Sequence, residues 1–509
     1  MSYLELLKFA APEAVVVVTA LLVLTIGLLT GHRRAGATVT VARAAELEDK
    51  TTASGPAGIC AFIAALGLAV AVAVAVVVRQ AEQAALFHGM LVVSPLNSLF
   101  QIICLVLAFF TVLLVRSERA SPNRGEYLAL ILLATIGLLL LVGSEELLMI
   151  FIGLELTGLS LYVLTAFDRE HQPSAEAGLK YFLFGSMASA VTLFGLSFIY
   201  GLTGTTSLAS VGARLTNAPI EPLLAAGIVM TLIGFAFKIA AAPFHLWAPD
   251  AYQGAPVSTA AFIASGSKVA SFLVLGKIVL VAFGPLHGSA AWHAVAGGWM
   301  PLLAVLAALS ILIGNFVALV QKNVRRLLAY SAVAHAGYTL LGLVAAGREG
   351  FSATLFYTTI YGITLIGAFG VVGFVRRETG GDDLRDFAGL RTRSPLLAGC
   401  MAIFMLSLAG LPPLAGFFGK FYLFSVSLRA GPNHGLFWLV VLALFGSLVS
   451  LYYYLIVLKA IFVDKGDGPG FAFRPDLLGG LTIALLAAAT FLFGVLPAVL
   501  LHRILLALG

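Results

Sequence analysis

Charged residues are scarce in this chain. Only 11% of its 509 residues are Asp, Glu, Lys or Arg, whereas 60% are hydrophobic and the mean hydropathy is +1.03. A water-soluble domain needs a polar exterior, so this composition excludes the soluble globular class. A helix needs roughly 20 mostly apolar residues to cross the hydrocarbon of a bilayer. The sequence therefore predicts an all-α polytopic membrane protein, whose first partner is the lipid bilayer.

Cysteines are few, and the motifs of cofactor-binding enzymes are absent. Cys60, Cys104 and Cys400 lie in apolar runs without CxxC spacing, so we interpret them as small core residues. The sequence has no GxxxxGK[ST], no GxGxxG after a strand and no HExxH. We therefore expect this chain to hold no nucleotide, flavin, iron–sulfur cluster, haem or metal.

Fourteen apolar tracts are long enough to span a membrane, and basic residues alternate between the loops that join them. The loops after odd-numbered tracts hold 19 Lys and Arg residues, whereas the other loops and the termini hold 6. Cytoplasmic loops carry the positive excess, so both termini are expected outside and no nucleic-acid partner is expected despite the net charge of +6. The predicted spans are 12–31, 57–79, 91–115, 127–143, 147–166, 176–200, 222–241, 256–282, 298–320, 327–346, 352–375, 395–428, 434–462 and 478–501.

Of the 30 Lys and Arg residues, 25 lie in the loops and termini. The other five are all lysines, and all five lie inside apolar tracts. A lysine at bilayer depth costs roughly 2.5–3.5 kcal/mol on insertion scales, and such residues usually mark ion paths or proton relays. Whether a lysine is protonated depends on its surroundings. Moving a nearby carboxylate can therefore make the lysine take up or release a proton. The five are Lys180, Lys238, Lys268, Lys277 and Lys420.

Glu155, near the middle of the fifth tract, is the best candidate for that carboxylate, since Glu145 and Glu146 lie at a helix boundary. We favour a titrating Glu155–lysine pair over a fixed ion pair. Lys268 lies among serines, which indicates either a hydrated path or close helix packing. Lys277 is nearer the outer end, where snorkelling to the surface is expected.

Two of the lysines lie beside predicted helix breaks. Lys238 precedes Pro243, and Lys420 follows the Pro412-Pro413 pair, and proline interrupts a helix. Transporters place broken helices at their binding sites. The breaks, near 238–254 and 410–420, lie five tracts apart, which predicts two inverted five-helix repeats. The predicted units are an N-terminal three-helix segment 1–125, repeats 126–283 and 297–463, and a C-terminal helix 464–509.

Three further residues allow two interpretations each. His335 lies in mid-helix among polar residues and is either a relay group or a satisfied core histidine. His245 lies at the first break and either bridges the two halves or serves as a hydrogen-bonding hinge. Lys180 is near the cytoplasmic end of its tract and either transfers protons or snorkels.

Two segments resemble the antiporter-like membrane subunits of respiratory complex I, the bacterial NADH–quinone oxidoreductase. These are FKIAAAPFHLWAPDAYQGAPVS at 237–258 and GLPPLAGFFGKF at 410–421. The resemblance extends over nearly the whole chain. Within the family, Lys420 is typical of the subunit N branch, because the sister branch M has glutamate there.

The resemblance implies a role for each candidate residue. Glu155 would pair with Lys238, Lys268 would be the central lysine, and Lys420 the terminal one. His335 would lie on the connecting axis, Lys180 would be the sixth-helix lysine, and protons would move outward across a bacterial inner membrane. NADH, FMN, iron–sulfur clusters and quinone would belong to the other membrane and peripheral subunits of the complex.

Other functions are compatible with the segment at 237–258. An Mrp-type cation/proton antiporter subunit, or a subunit of a membrane-bound hydrogenase-like complex, would carry the same broken helix and lysine. An inert scaffold is disfavoured, because a scaffold gains nothing from lysines that are costly to bury. Co-purifying subunits would discriminate these classes.

Overall fold

The computed structural model describes residues 8–35, 56–78, 84–115, 123–216, 218–465 and 476–509. Within these ranges helices dominate, and strands form two small antiparallel hairpins, β1–β2 and β3–β4. Some basic residues behind the topology prediction lie outside the described residues: Arg43, Lys50, Arg79, Arg116, Arg119 and Arg474.

The helices follow the order of the predicted tracts. In the part of the chain that the structure describes, four short 3₁₀ turns connect them, at Phe87–Gly89, Gly284–Leu286, Leu384–Phe387 and Pro432–His434. The strands are β1 Ala84–Leu86, β2 Leu91–Val93, β3 Ser289–Ala291 and β4 Ala294–Ala296. The helices are α1 Ala11–Ala35, α2 Pro56–Val78, α3 Pro95–Leu114, α4 Arg124–Gly143, α5 Leu147–Thr165, α6 Gln172–Thr203, α7 Leu208–Leu215, α8 Pro222–Lys238, α9 Trp247–Gly254, α10 Val257–Ala282, α11 Trp299–Ala318, α12 Val324–Ala345, α13 Gly347–Thr379, α14 Leu390–Arg393, α15 Pro395–Ala409, α16 Ala415–Arg429, α17 Phe437–Phe462, α18 Leu477–Val495 and α19 Ala498–Ala507.

Local sequence explains where several helices begin and end. The Ser94 and Asn323 side chains accept hydrogen bonds from the backbone N–H groups of Asn97 and Arg326, and so cap the N-termini of α3 and α12. α6 and α13 end at Gly204 and Gly380, with φ of 64° and 78°, in the left-handed region that glycine adopts without a Cβ penalty.

Twelve helices in the described ranges are long and apolar enough to span a membrane, and three further apolar helices are shorter. Two of the shorter ones, α8 and α15, are the first halves of broken helices. The all-α multispanning fold is therefore confirmed, apart from the two hairpins. The number of crossings and the inverted repeat stay predictions.

Several boundaries differ from the predicted tracts. The tract predicted from 91 begins as strand β2, and its helix starts only at Pro95. The last tract is two helices, α18 and α19, because Pro497 lies between them.

Both predicted helix breaks are present. α8 ends at Lys238 and α9 begins at Trp247, so the helix stops five residues before Pro243. α15 ends at Ala409 and is followed by Gly410 with φ 86°, after which α16 begins at Ala415. Each break leaves carbonyl groups without helical partners, which is tolerated where they find other donors inside the protein.

Three helices form the centre of the molecule. In α10, α12 and α13, 94% of the most apolar window is buried, compared with 28% in α1 and 39% in α17. The outer helices expose large apolar side chains, as expected where lipid is the neighbour. Polar groups on the three central helices are therefore held away from lipid by the surrounding helices.

Candidate functional site

Glu155 and Lys238 face one small cavity. Both line it, on α5 and α8, together with Ser189 and Thr192 of α6. Glu155 accepts a hydrogen bond from the Ser189 hydroxyl, and no ion pair within 4.0 Å joins it to Lys238 in the described structure. The two groups share a cavity without direct contact, so proton exchange between them stays a prediction.

Lys238 is held by neutral groups of the helix that carries Glu155. Its Nζ donates to Leu154 O at 3.4 Å and to Tyr162 Oη at 3.3 Å, and the side chain is 9% exposed. Gly158 of the same helix lies against it, since a Cβ there would be 2.6 Å from Nζ. An ammonium held by neutral oxygens can lose its proton without leaving a buried carboxylate unpaired.

Lys268 lies in the middle of α10, immediately after a π-helical turn at Ile263–Ser267. Such turns are rare and occur frequently at functional sites. Nζ donates to Ala332 O of α12 at 2.8 Å and lies 5.8 Å from the centre of the Tyr361 ring of α13. Lys268 therefore contacts both other central helices.

Lys420 lies in the second turn of α16, directly after the second break. Its Nζ donates to Ala409 O at 3.1 Å and to Ser447 Oγ at 3.0 Å. Ala409 is the last residue of α15, so the ammonium occupies the negative end of that helix dipole. Nζ also lies 5.1 Å from the centre of the Tyr338 ring.

His335 of α12 is enclosed by tyrosines. Nδ1 lies 2.7 Å from Tyr357 Oη, and Nε2 lies 3.0 Å from Tyr454 Oη. The Tyr361 ring stacks on the imidazole with centroids 4.8 Å apart. Both ring nitrogens therefore have hydroxyl partners, and the residue is buried.

A continuous series of side-chain contacts connects Lys268 with Lys420. Lys268 contacts Tyr361, Tyr361 stacks on His335, and His335 contacts Tyr338 edge to face with centroids 5.5 Å apart. Tyr338 in turn lies beneath the Lys420 ammonium. We call these five residues the central path.

Sequence reasoning missed the tyrosines around His335. Tyr357 and Tyr361 are four residues apart on α13, a spacing that places both on one helix face. That spacing is a local signal, but it is equally typical of ordinary core aromatics. Lys238, Lys268, Lys420 and His335 are buried. Their roles in proton transfer stay predictions.

Lys180 and His245 lie apart from the central path. Lys180 is half-exposed and forms ion pairs with Glu176 at 2.6 Å and with Asp250 at 2.8 Å. Asp250 also pairs with Arg326 at 2.6 Å, so this cluster ties α6, α9 and α12 together. His245 is buried in the turn between α8 and α9, with its ring centre 6.3 Å from that of Tyr330.

The expectation that Lys277 snorkels is wrong. Lys277 is 5% exposed, and its Nζ donates to Asn97 Oδ1 at 2.6 Å, Val142 O at 2.9 Å and Ser144 O at 3.3 Å. Glu145 Oε1 is 3.8 Å away. The ammonium lies at the C-terminal end of α4, where a cation complements the helix dipole.

The fold and these buried groups define a multispanning membrane protein with a lysine–histidine–tyrosine path through its centre. A family model described as NADH:quinone oxidoreductase/Mrp antiporter, TM matches residues 144–449, more than half of the chain. The chain belongs to this family. The matched range contains all seven candidate site residues.

Relatives and solved structures agree with this assignment. NADH-quinone oxidoreductase subunit N 2 of Acidobacterium capsulatum is 46% identical over 427 residues, which cover 82% of this chain and 86% of the relative. A chain of respiratory complex I from Thermus thermophilus is similar with a TM-score of 0.72 and 33% identity, covering 94% of this chain and 98% of that one. A chain of the Mrp complex from Dietzia sp. DQ12-45-1b is 22% identical with a TM-score of 0.78, covers 99% of this chain and 97% of that one, and is similar in fold alone.

Proposed function

We propose that this chain is a proton-translocating membrane subunit of a bacterial NADH–quinone oxidoreductase, of the subunit N type. The name of the Acidobacterium relative and the likeness to a complex I chain support the assignment. The observation that carries the proton-translocating role is the central path, which links two buried lysines through aromatic rings and an imidazole. Burying such groups is costly, and membrane proteins retain them where ions or protons move.

In the proposed relay, Glu155 and Lys238 load protons at their shared cavity. Lys268, His335 and Lys420 then carry protons along the central path. The lysine partners there are carbonyls, a hydroxyl and ring faces, so a proton can leave without breaking an ion pair. His245 would act as a hinge at the first break. Lys180, in its half-exposed ion-pair cluster, would serve at the end of the route rather than within it.

The redox reaction would take place in partner subunits. NADH, FMN, iron–sulfur clusters and quinone would bind there, and this chain would hold no cofactor of its own. Among the described residues no group of three or more His, Cys, Asp or Glu could hold a metal ion.

Topology and domain organisation complete the proposal. Both termini would face the periplasm, since the loops after odd-numbered tracts carry the basic excess. Segments 126–283 and 297–463 would form the two inverted repeats, each with one broken helix. The segments 1–125 and 464–509 would flank them.

A second candidate function is a subunit of an Mrp-type cation/proton antiporter or of a membrane-bound hydrogenase-like complex. The likeness to the Dietzia Mrp chain favours it, although 22% identity supports the fold alone. Purification from native membranes separates the candidates, because a redox complex brings quinone-reducing and NADH-oxidising subunits with it. A subunit of an Mrp-type antiporter would be purified without quinone-reducing or NADH-oxidising subunits.

The test of the relay is the Lys238→Ala substitution in the intact complex. NADH:quinone turnover and proton uptake are measured side by side in inverted membrane vesicles. We expect both to fall together while the complex still assembles. Lys459→Ala is the matched control, because that lysine is 66% exposed at the end of α17 and its loss should leave both rates unchanged. Wild-type turnover and uptake in Lys238→Ala would show that the lysine is structural and would overturn the relay.

A further inference from the structure

A cavity of about 500 Å³ lies between the ends of five helices, away from the proposed relay. Its walls are mainly apolar and include Leu280, Trp299, Met300 and Phe351. A volume of this size is typical of sites that hold a small molecule or part of a larger one. The lining therefore suits an apolar segment of a ligand.

The cavity lies at the level where helices end. α10 ends at Ala282 and α11 begins at Trp299, while α12 ends at Ala345 and α13 begins at Gly347. Leu508, directly after α19, closes another side. Ends of spanning helices lie near the lipid headgroups, where tryptophans such as Trp299 are enriched.

Among the described residues that line the cavity, Arg348 is charged and none carries a carboxylate. Arg348 and His287 line it, both exposed, together with Gly347 at the N-terminus of the 33-residue helix α13. A helix N-terminus and an arginine each favour an anion. Nη2 of Arg348 donates to Leu505 O at 2.7 Å, which directs the guanidinium towards the α19 wall and leaves it further donors.

The position of Arg348 is unusual in view of the charge pattern. It is one of only six basic residues in the loops and termini predicted to lie outside. A topology signal does not require it there, since the positive excess belongs on the opposite side. Topology therefore does not account for its charge.

We propose that this cavity binds an anionic phospholipid of the bilayer. The phosphate would lie against Arg348 and the α13 N-terminus, and the first part of an acyl chain would fill the space between Leu280, Met300 and Phe351. Only an amphiphile matches both the cationic rim and the apolar depth. A free phosphate would leave the apolar walls unfilled, and a zwitterionic lipid would gain less from the arginine.

The experiment uses the purified complex in phosphatidylcholine vesicles. Each preparation also contains a small fraction of one lipid probe with a photoactivatable diazirine in its acyl chain. The probe is phosphatidylglycerol in one preparation and phosphatidylcholine in the other. After illumination, peptides that contain Leu280, Met300 and Phe351 are quantified by mass spectrometry. NADH:quinone turnover in the same preparation confirms assembly.

We expect the phosphatidylglycerol probe to label these peptides several-fold more than the phosphatidylcholine probe. Arg348→Gln should lower the phosphatidylglycerol label about fivefold, the effect of one basic residue at an anionic lipid surface. Arg348→Lys should retain most of it. Arg429→Gln is the matched control, because Arg429 is exposed, lies on the same predicted side and does not line the cavity.

Three results would overturn the proposal. One is equal labelling by the two probes, or labelling that Arg348→Gln does not change. Another is loss of the label with millimolar inorganic phosphate, which would identify a site for free anions. The third is unlabelled peptides in the complex, which would mean that a neighbouring subunit covers the cavity.

Discussion

Nδ1 of His335 lies 2.7 Å from the phenolic oxygen of Tyr357, one helix further along the chain. The other ring nitrogen lies 3.0 Å from the hydroxyl of Tyr454. A neutral imidazole has one donor and one acceptor nitrogen, so a proton can arrive on one side and leave on the other. In the proposed relay, His335 would therefore be a two-sided proton carrier on the central path that connects Lys268 and Lys420.

Removing this carrier should block proton movement. His335→Phe keeps an aromatic ring of similar size but removes both nitrogens, so we expect proton uptake to fall about a hundredfold. Tyr357→Phe removes one hydroxyl partner and should cost about tenfold. Uptake is measured in inverted vesicles, with Tyr452→Phe as control because Tyr452 is 61% exposed on α17. Wild-type uptake in His335→Phe would mean that the central path does not conduct through the histidine.

The second prediction separates a functional lysine from a structural one. Lys268→Met keeps the length of the side chain and removes a buried ammonium that costs roughly 2.5–3.5 kcal/mol to place in a membrane. We expect the thermal unfolding temperature of the complex to stay the same or rise, while proton uptake is lost. A lower unfolding temperature with normal uptake would contradict a relay role for Lys268.

The third prediction concerns a residue without any titratable group. Gly158→Ala would put a methyl group 2.6 Å from the present position of Lys238 Nζ, so the ammonium must move. A displacement of about 1 Å can cost a reaction as much as a hundredfold, and we expect uptake to fall about tenfold or more. Gly201→Ala is the matched control, since the added Cβ would meet no neighbouring side chain or other helix within 4 Å. Equal uptake in the two variants would show that the position of the Lys238 ammonium is unimportant.

Lys277 should behave in the opposite way to Lys268. Lys277→Met leaves Asn97 Oδ1 and the carbonyls of Val142 and Ser144 without their donor, and each such loss costs about 1–3 kcal/mol. We expect a lower unfolding temperature of the assembled complex, with partial recovery in Lys277→Arg. An unfolding temperature equal to that of the wild type would show that these contacts contribute little.

Helices and breaks were predictable because their signals are local. Apolar length indicates a span, and Pro243 and the Pro412-Pro413 pair lie inside tracts that would otherwise be continuous. The burial of Lys238, Lys268 and Lys420 followed from the same reasoning, since charges inside spans face the protein interior. These inferences needed no knowledge of which helices are neighbours.

The contacts that connect the lysines cannot be predicted without knowing which helices are neighbours. Tyr454 lies 119 positions from His335, and in sequence its aromatic ring is indistinguishable from an ordinary core residue. Lys277 was misjudged for a similar reason, because its partner Asn97 is 180 positions away. Hairpin β1–β2 was missed because its strands have three residues each, too few for a periodic pattern.

The two π-helical turns of α10 have a mechanical consequence. They occupy Ile263–Ser267 and Ile278–Ala282, and between them lies a ten-residue α-helical segment with Lys268 at one end and Lys277 at the other. One residue corresponds to about 100° of rotation in an α-helix, so relaxing either π turn would swing this segment about its axis. Because Lys268 and Lys277 lie on the same rigid segment, its rotation would bring both ammonium groups to new neighbours in a single movement.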